Sequence, residues 1–213
     1  MKDMKFYSLL RIIAVIKAER VMQKRLPELG LSQVWSGLWV GPARSVTAHE
    51  LATRGITTLI WATPEVSPPQ LPDIHVLEVL IKDDPDQDIS LYFQSVAKAF
   101  KECQVANGSG MAVVCRAGVS RSACLALAAL VGQPQLQEMT LRNAYLTVKG
   151  ARPLIRPNNG FFSQLIRYEV AMRGSPSVTM NESPYQAGEQ VPDVYLEELK
   201  KDMGSTFTTF LPY

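Results

Sequence analysis

The strongest constraint on this chain lies between residues 111 and 131. Met111-Ala112-Val113-Val114 is a short apolar run that predicts a buried strand, and the Ala/Leu-rich stretch from Ala123 to Val131 predicts a buried helix. Only Cys115-Arg116-Ala117-Gly118-Val119-Ser120-Arg121-Ser122 joins them, so a strand must turn into a helix through a loop that begins with a thiol and ends with a guanidinium. Such a loop makes an anion site. The first turn of a helix has N–H groups without intrahelical partners, and the helix dipole adds partial positive charge there. Gly118 lets the backbone curl. Arg121 can close the loop as a two-pronged clamp on phosphate oxygens. The same field favours the ionised, nucleophilic form of Cys115.

The flanking pattern supplies a scaffold for this loop. Gln33–Trp35 and Leu38–Val40 predict two short strands joined by Ser36-Gly37, and the β-branched run Ile56–Trp61 predicts a buried one. Thr47 to Arg54 predicts a short helix ended by Gly55, and His75 to Ile81 a further strand. Residues 64–73 hold four prolines and predict a loop. Asp88 or Ser90 can cap a helix whose face is Tyr92, Phe93, Val96, Ala97 and Phe100. Further helices are expected over Thr140–Lys149 and Asn159–Met172. Strands first alternate with helices and then give way to them. This predicts an α/β fold with a central, mostly parallel sheet of about five strands flanked by helices, with Cys115 at the carboxyl end of a central strand, where ligands bind.

The Cys-x5-Arg-Ser loop, in the phrase Ala117-Gly118-Val119-Ser120-Arg121-Ser122-Ala123, resembles that of the atypical dual-specificity phosphatases within the Cys-based protein tyrosine phosphatase superfamily. Arg152-Pro153-Leu154-Ile155-Arg156-Pro157-Asn158-Asn159-Gly160-Phe161-Phe162 and Asp88-Ile89-Ser90-Leu91-Tyr92-Phe93 are similar to the same group, in the same order. The resemblance runs from about Leu31 to Arg173 and implies a protein tyrosine phosphatase-like fold. It also implies a protein phosphatase that acts on phosphotyrosine, and on phosphoserine and phosphothreonine, without cofactor or metal.

In that reading Cys115 attacks phosphorus and forms a phosphocysteine, while residues 116–121 (Arg116, Ala117, Gly118, Val119, Ser120, Arg121) bind the phosphoryl oxygens. Ser122 either assists departure of the thiolate or caps the following helix. The family's general acid, counted back from Tyr92-Phe93, falls on Asp83, with Asp84 as the alternative. Asn158 matches a position that braces the loop; it also suits a helix cap. Arg152 and Arg156 read as solvated rim residues, and Arg116 as pointing outward toward acidic flanks of a peptide. Cys103 and Cys124 read as packing residues.

Composition narrows the setting. A net charge of +2 asks for no nucleic acid, and three cysteines without framework spacing fit a reducing compartment, hence the cytoplasm. His49 and His75 are the only histidines, so no metal-ligand cluster is expected. Residues 1–25 are net +5, which leaves −3 for the rest. Their apolar run, interrupted by Ser8 and Arg11, is too short to span a membrane and carries no cleavage signature. Residues 1–30 therefore read as a basic amphipathic helix that either packs on the domain or contacts a membrane surface or organelle, nuclear or mitochondrial. Residues 31–174 read as the catalytic domain. Residues 175–213 read as a loose joint followed by a docked segment.

Two features depart from the family pattern: Gly132-Gln133-Pro134-Gln135 is slightly longer than the resemblance implies, a surface loop far from the chemistry, and the other departure adjoins Cys115. Val114 stands where the resemblance implies histidine, so the donor that would help order the loop is missing. Three other readings follow from the loop. A phosphoinositide or RNA 5′-phosphate substrate is disfavoured because such relatives carry extra lysines or histidine where Val119-Ser120 stand. A sulfur transferase is disfavoured by Arg121-Ser122 and the Arg-Pro-Asn block. A phosphate-binding or scaffolding protein weakened by Val114 keeps the loop but loses turnover. If the missing imidazole limits catalysis, Val114→His will raise aryl-phosphate turnover, most clearly at mildly acidic pH; a neutral or harmful effect would reject that view.

Overall fold

The computed structural model describes residues 30–106, 109–184 and 186–208, with side chains as far as residue 200. The basic segment 1–25 lies outside the described residues. β1 (Ser32–Trp35) and β2 (Leu38–Pro42) form an antiparallel hairpin. A short helix, α1 (Ala48–Thr53), is capped by the Thr47 hydroxyl, which accepts from the Glu50 N–H at 3.1 Å. β3 (Ile56–Trp61), β4 (His75–Glu78) and β5 (Gly110–Cys115) follow, and the sheet order is β1-β2-β5-β3-β4. All pairings except β1–β2 are parallel, as the alternating pattern predicted.

β5 is central and wholly buried, and its side chains alternate between two apolar clusters. Met111, Val113 and Cys115 join the larger cluster, beneath the helices. Ala112 and Val114 face the smaller one, with Leu51, Ile56, Leu59 and Trp61. The larger layer contains α2 (Phe93–Val105), α3 (Arg121–Val131), α4 (Leu141–Ala151) and α5 (Asn159–Arg173). Every residue of α3 is buried, which its Ala-rich sequence permits because small side chains let neighbouring helices approach. Each fully buried Leu or Phe in this layer stabilises the fold by about 1.5–3 kcal/mol relative to exposure.

Two elements differ from expectation. β4 stops at Glu78, although Val79 still donates to the Trp61 carbonyl at 2.9 Å and Ile81 remains buried. The chain must leave the sheet there to carry residues 82–88 over the top of the loop. Beyond Gly174 the sequence suggests a loose joint and then a docked segment; the structure has in place of the joint a hairpin of β6 (Met180–Glu182) and β7 (Gln190–Pro192), then α6 (Asp193–Thr208), whose start is docked. Long-range contacts fix it. Arg142 donates to Asp193 at 2.6 Å and Glu197 at 2.8 Å, and Tyr195 donates to the Pro157 carbonyl at 2.6 Å. The rings of Tyr145, Phe162 and Tyr195 pack together, with centroids 5.3–5.7 Å apart. These partners lie far apart in sequence, so local composition carries no trace of them.

Candidate active site

Cys115 is the last residue of β5 and is 1% exposed. Its sulfur lies 3.2 Å from the Ser122 hydroxyl, on the first turn of α3. The helix cap position is Ser120, not Ser122, and Ser120 makes no side-chain cap bond. Of the two roles open to Ser122, the structure therefore shows the contact with sulfur. Gly118 has φ +68°, and a Cβ there would lie 2.4 Å from the Gly41 carbonyl carbon, so only glycine fits. Arg116 is exposed, as expected, while Ala117 and Val119 are half-buried.

Arg121 is 3% exposed, and its guanidinium meets Glu65, Ile81 and Asp83. One terminal nitrogen donates to Glu65 at 2.9 Å and to the Ile81 carbonyl at 3.1 Å. Its Nε is buried without a hydrogen-bond partner, 3.9 Å from an Asp83 oxygen. Glu65 carries no sequence signal: it sits in the proline-rich loop, and only the fold brings it to Arg121. Partial burial opposes its ionisation, but hydrogen bonds from Arg121 and Thr63 outweigh this and hold its pKa at about 2. Glu65 is thus an anion at any pH above about 2, and its tie to Arg121 is lost only as pH falls through that value. It cannot serve as a proton donor near neutrality.

The structure separates the two candidate acids. Asp83 reaches the loop, accepting from Ser120 Oγ at 2.6 Å and from Asn158 Nδ2 at 3.0 Å. Asp84 turns back onto its own segment and accepts from the Asp86 N–H at 2.9 Å. Asn158 does both things the sequence allowed. Its Oδ1 caps α5 through the Phe161 N–H at 2.9 Å, while its backbone N–H reaches Ser120 Oγ at 3.1 Å. Gly160 completes the arrangement: a Cβ there would lie 2.0 Å from the Pro85 carbonyl oxygen, so the Asp83 segment and α5 touch backbone to backbone.

Arg152 corrects the sequence reading. Expected at a solvated rim, it is 1% exposed, and its Nε donates to the Gly118 carbonyl at 2.8 Å. The chain ends α4 at this residue, which turns the side chain inward beneath the loop. Arg156 stays half-exposed over the Tyr195 ring, and its backbone N–H donates to the Val119 carbonyl at 2.9 Å. Burial, and secondarily the charge of Asp83, push the Cys124 thiol well above the ordinary thiol range, consistent with packing alone. Both histidines are exposed and none stands beside Cys115.

Residues 38–171 match the family model described as "Dual specificity phosphatase, catalytic domain". Dual specificity protein phosphatase 14 of Mus musculus is 40% identical over 170 residues, covering 79% of this chain and 82% of its own. Dual specificity protein phosphatase 18 of Bos taurus is 35% identical over 184 residues, covering 84% and 93%. Among solved structures, human DUSP28 is similar at 32% identity and a TM-score of 0.62, over 68% of this chain and 96% of its own. The human tyrosine phosphatase-like serine/threonine/tyrosine-interacting protein is similar at 27% identity and a TM-score of 0.61, over 67% and 97%.

The Gly160 contact yields a direct test. Gly160→Ala must displace the Asp83 segment, and is expected to lower aryl-phosphate kcat by about 10–100-fold, the scale of a misplacement near 1 Å. A thermal melt within a few degrees of wild type will show that the fold persists. Undiminished kcat would mean that the close approach does not position Asp83.

Proposed function

The chain belongs to the dual specificity phosphatases, a family of cysteine-based protein phosphatases, and from that footing we propose that it hydrolyses phosphotyrosine together with phosphoserine and phosphothreonine through a phosphocysteine intermediate. The observation that carries this reading is the convergence of Cys115, Ser122, Arg121 and Asp83 on one loop, from two separate segments of chain.

The chemistry follows from those positions. The phosphate dianion enters the loop, where backbone N–H groups and the unpartnered Arg121 Nε take its oxygens. The Cys115 thiolate attacks phosphorus, the bond from phosphorus to the ester oxygen breaks, and protonated Asp83 gives that oxygen its proton. Water then attacks the phosphocysteine and yields its proton to the Asp83 carboxylate. The sulfur leaves as a thiolate, stabilised by a hydrogen bond from the Ser122 hydroxyl. Inorganic phosphate departs and the site is restored. Ser120 and Asn158 hold Asp83 at the loop throughout.

The match to a family described as dual specificity supports a mouth that admits phosphoserine and phosphothreonine as well as phosphotyrosine. We place the substrates among phosphoproteins and the setting in the cytoplasm, where three free, buried thiols remain reduced. A second reading, a phosphate-binding protein with weakened turnover, draws on Val114, whose side chain is wholly enclosed by apolar neighbours and gives the loop no donor.

Turnover decides between them. Cys115→Ser is expected to abolish hydrolysis of an aryl phosphate while retaining phosphopeptide binding. Asp83→Asn is expected to lower kcat by about 10²–10⁴ for poor leaving groups, and much less for an activated one. Asp84→Asn should leave kcat close to wild type. An intact chain that binds phosphopeptide but shows no turnover would favour the second reading, and a larger loss at Asp84 than at Asp83 would reassign the acid.

A further inference from the structure

The loop's amides must face inward to hold an anion, and something must turn them that way. In a planar trans peptide the carbonyl of one residue and the N–H of the next point in opposite directions. Two successive carbonyls of the loop are tied from outside. Gly118 O accepts from Arg152 Nε at 2.8 Å, and Val119 O accepts from the Arg156 backbone N–H at 2.9 Å. The N–H groups of Val119 and Ser120 are thereby aimed toward the opposite side, the interior of the loop. The second tie is made by backbone and survives any side chain at 156. The first depends on the guanidinium of Arg152 alone.

That guanidinium is tightly placed. It is 1% exposed, its other arm reaches Ser32 Oγ at 3.1 Å on β1, and a Cβ on Gly118 would lie 2.7 Å from its NH2. Burying a cation costs several kcal/mol unless the site uses its charge and donors. Val114, the residue before Cys115, offers the loop no hydrogen bond from its side of the sheet.

We propose that Arg152 is a positioning residue of this phosphatase: it aims the Val119 amide by holding the Gly118 carbonyl, and it sets a second fixed positive charge, distinct from Arg121, against the loop that Cys115 opens. The inference rests on the function proposed above and adds a residue that does not touch the phosphate. Burial is the largest influence on Arg152 and works against its charge; the negative charge of Cys115 works for it and the nearby Arg44 against it. The other charged side chains around this loop are Arg116 within it, Arg121 with its partners Glu65 and Asp83, Arg156, whose backbone ties Val119, and Arg44 near Arg152.

Two variants of the full chain separate aim from charge. Arg152→Lys keeps the charge but loses the fork that spans Gly118 and Ser32. Arg152→Met loses both. Both are expected to lower kcat by about 10–100-fold with a smaller change in KM, and to weaken binding of inorganic tungstate, because misaimed amides fail most at the transition state. Alkylation of Cys115 by iodoacetamide against pH reads the charge. Its half-maximal point is expected to move upward in Arg152→Met and to stay near wild type in Arg152→Lys, a split that mere structural loosening would not produce. A folded Arg152→Met with wild-type kcat and alkylation profile overturns the proposal. If Arg152→Met does not fold, Arg152→Lys decides, and kcat within twofold of wild type overturns it. Tungstate affinity and alkylation do not need turnover. An inactive wild-type chain would therefore count against the proposed hydrolysis, while these two measurements still judge Arg152.

Discussion

The contact between Gly118 and Gly41 is the constraint on which the rest of the site depends. β2 and β5 run parallel, with Gly41 paired to Val114, so the chain leaving β5 passes directly over the β2 backbone. The turn into α3 is tight enough that Gly118 rests against the Gly41 carbonyl with a left-handed φ. A side chain at residue 118 would lift the loop off the sheet and away from Arg152. The curl that produces an anion site is therefore a consequence of strand pairing as much as of the loop's own sequence.

Around that curl the polar groups form one connected arrangement. Ser120 bonds Asp83, Asn158 bonds both, and Arg121 stands between Asp83 and Glu65. The segments involved come from the proline-rich loop, the stretch after β4, the loop itself and the start of α5. Because these bonds share atoms, their contributions are coupled and do not add. Glu65 and the Ile81 carbonyl hold one arm of the buried Arg121, and its Nε has no hydrogen-bond partner among the described residues.

Much of this was legible in the sequence because it is local. The run from Met111 to Val131 specifies strand, curl and helix through composition and one glycine, and Cys115, Arg121 and Ser122 follow by spacing alone. The preference for Asp83 over Asp84 came from the family resemblance; that Asp83 bonds Ser120 and Asn158 while Asp84 bonds its own segment needed coordinates, since two adjacent aspartates differ only in where the backbone turns them. Glu65 and Arg152 were not legible. Glu65 sits among prolines that signal only a loop. Arg152 has the composition of a surface residue, and its burial depends on meeting a carbonyl some thirty residues away. That the tail near Val191–Leu196 docks was legible from its apolar residues, but its hairpin and helix were not, because Arg142, Tyr145 and Pro157 hold them from a distance.

Those distant anchors bear on the site itself. Pro157 precedes Asn158, the residue that joins Asp83 to Ser120, and its carbonyl is held by the Tyr195 hydroxyl. Arg156, whose backbone N–H ties the Val119 carbonyl, lies with its guanidinium carbon 4.2 Å from the centre of the same tyrosine ring. The Arg156–Asn158 segment is thus gripped on one side by the loop and on the other by α6. A segment that ties the Val119 carbonyl, the Ser120 hydroxyl and the proposed acid has little freedom left for its own conformation, and Tyr195 removes much of what remains. The mechanical frame of the site accordingly extends through the chain at least to residue 195, well past the last residue that touches the loop.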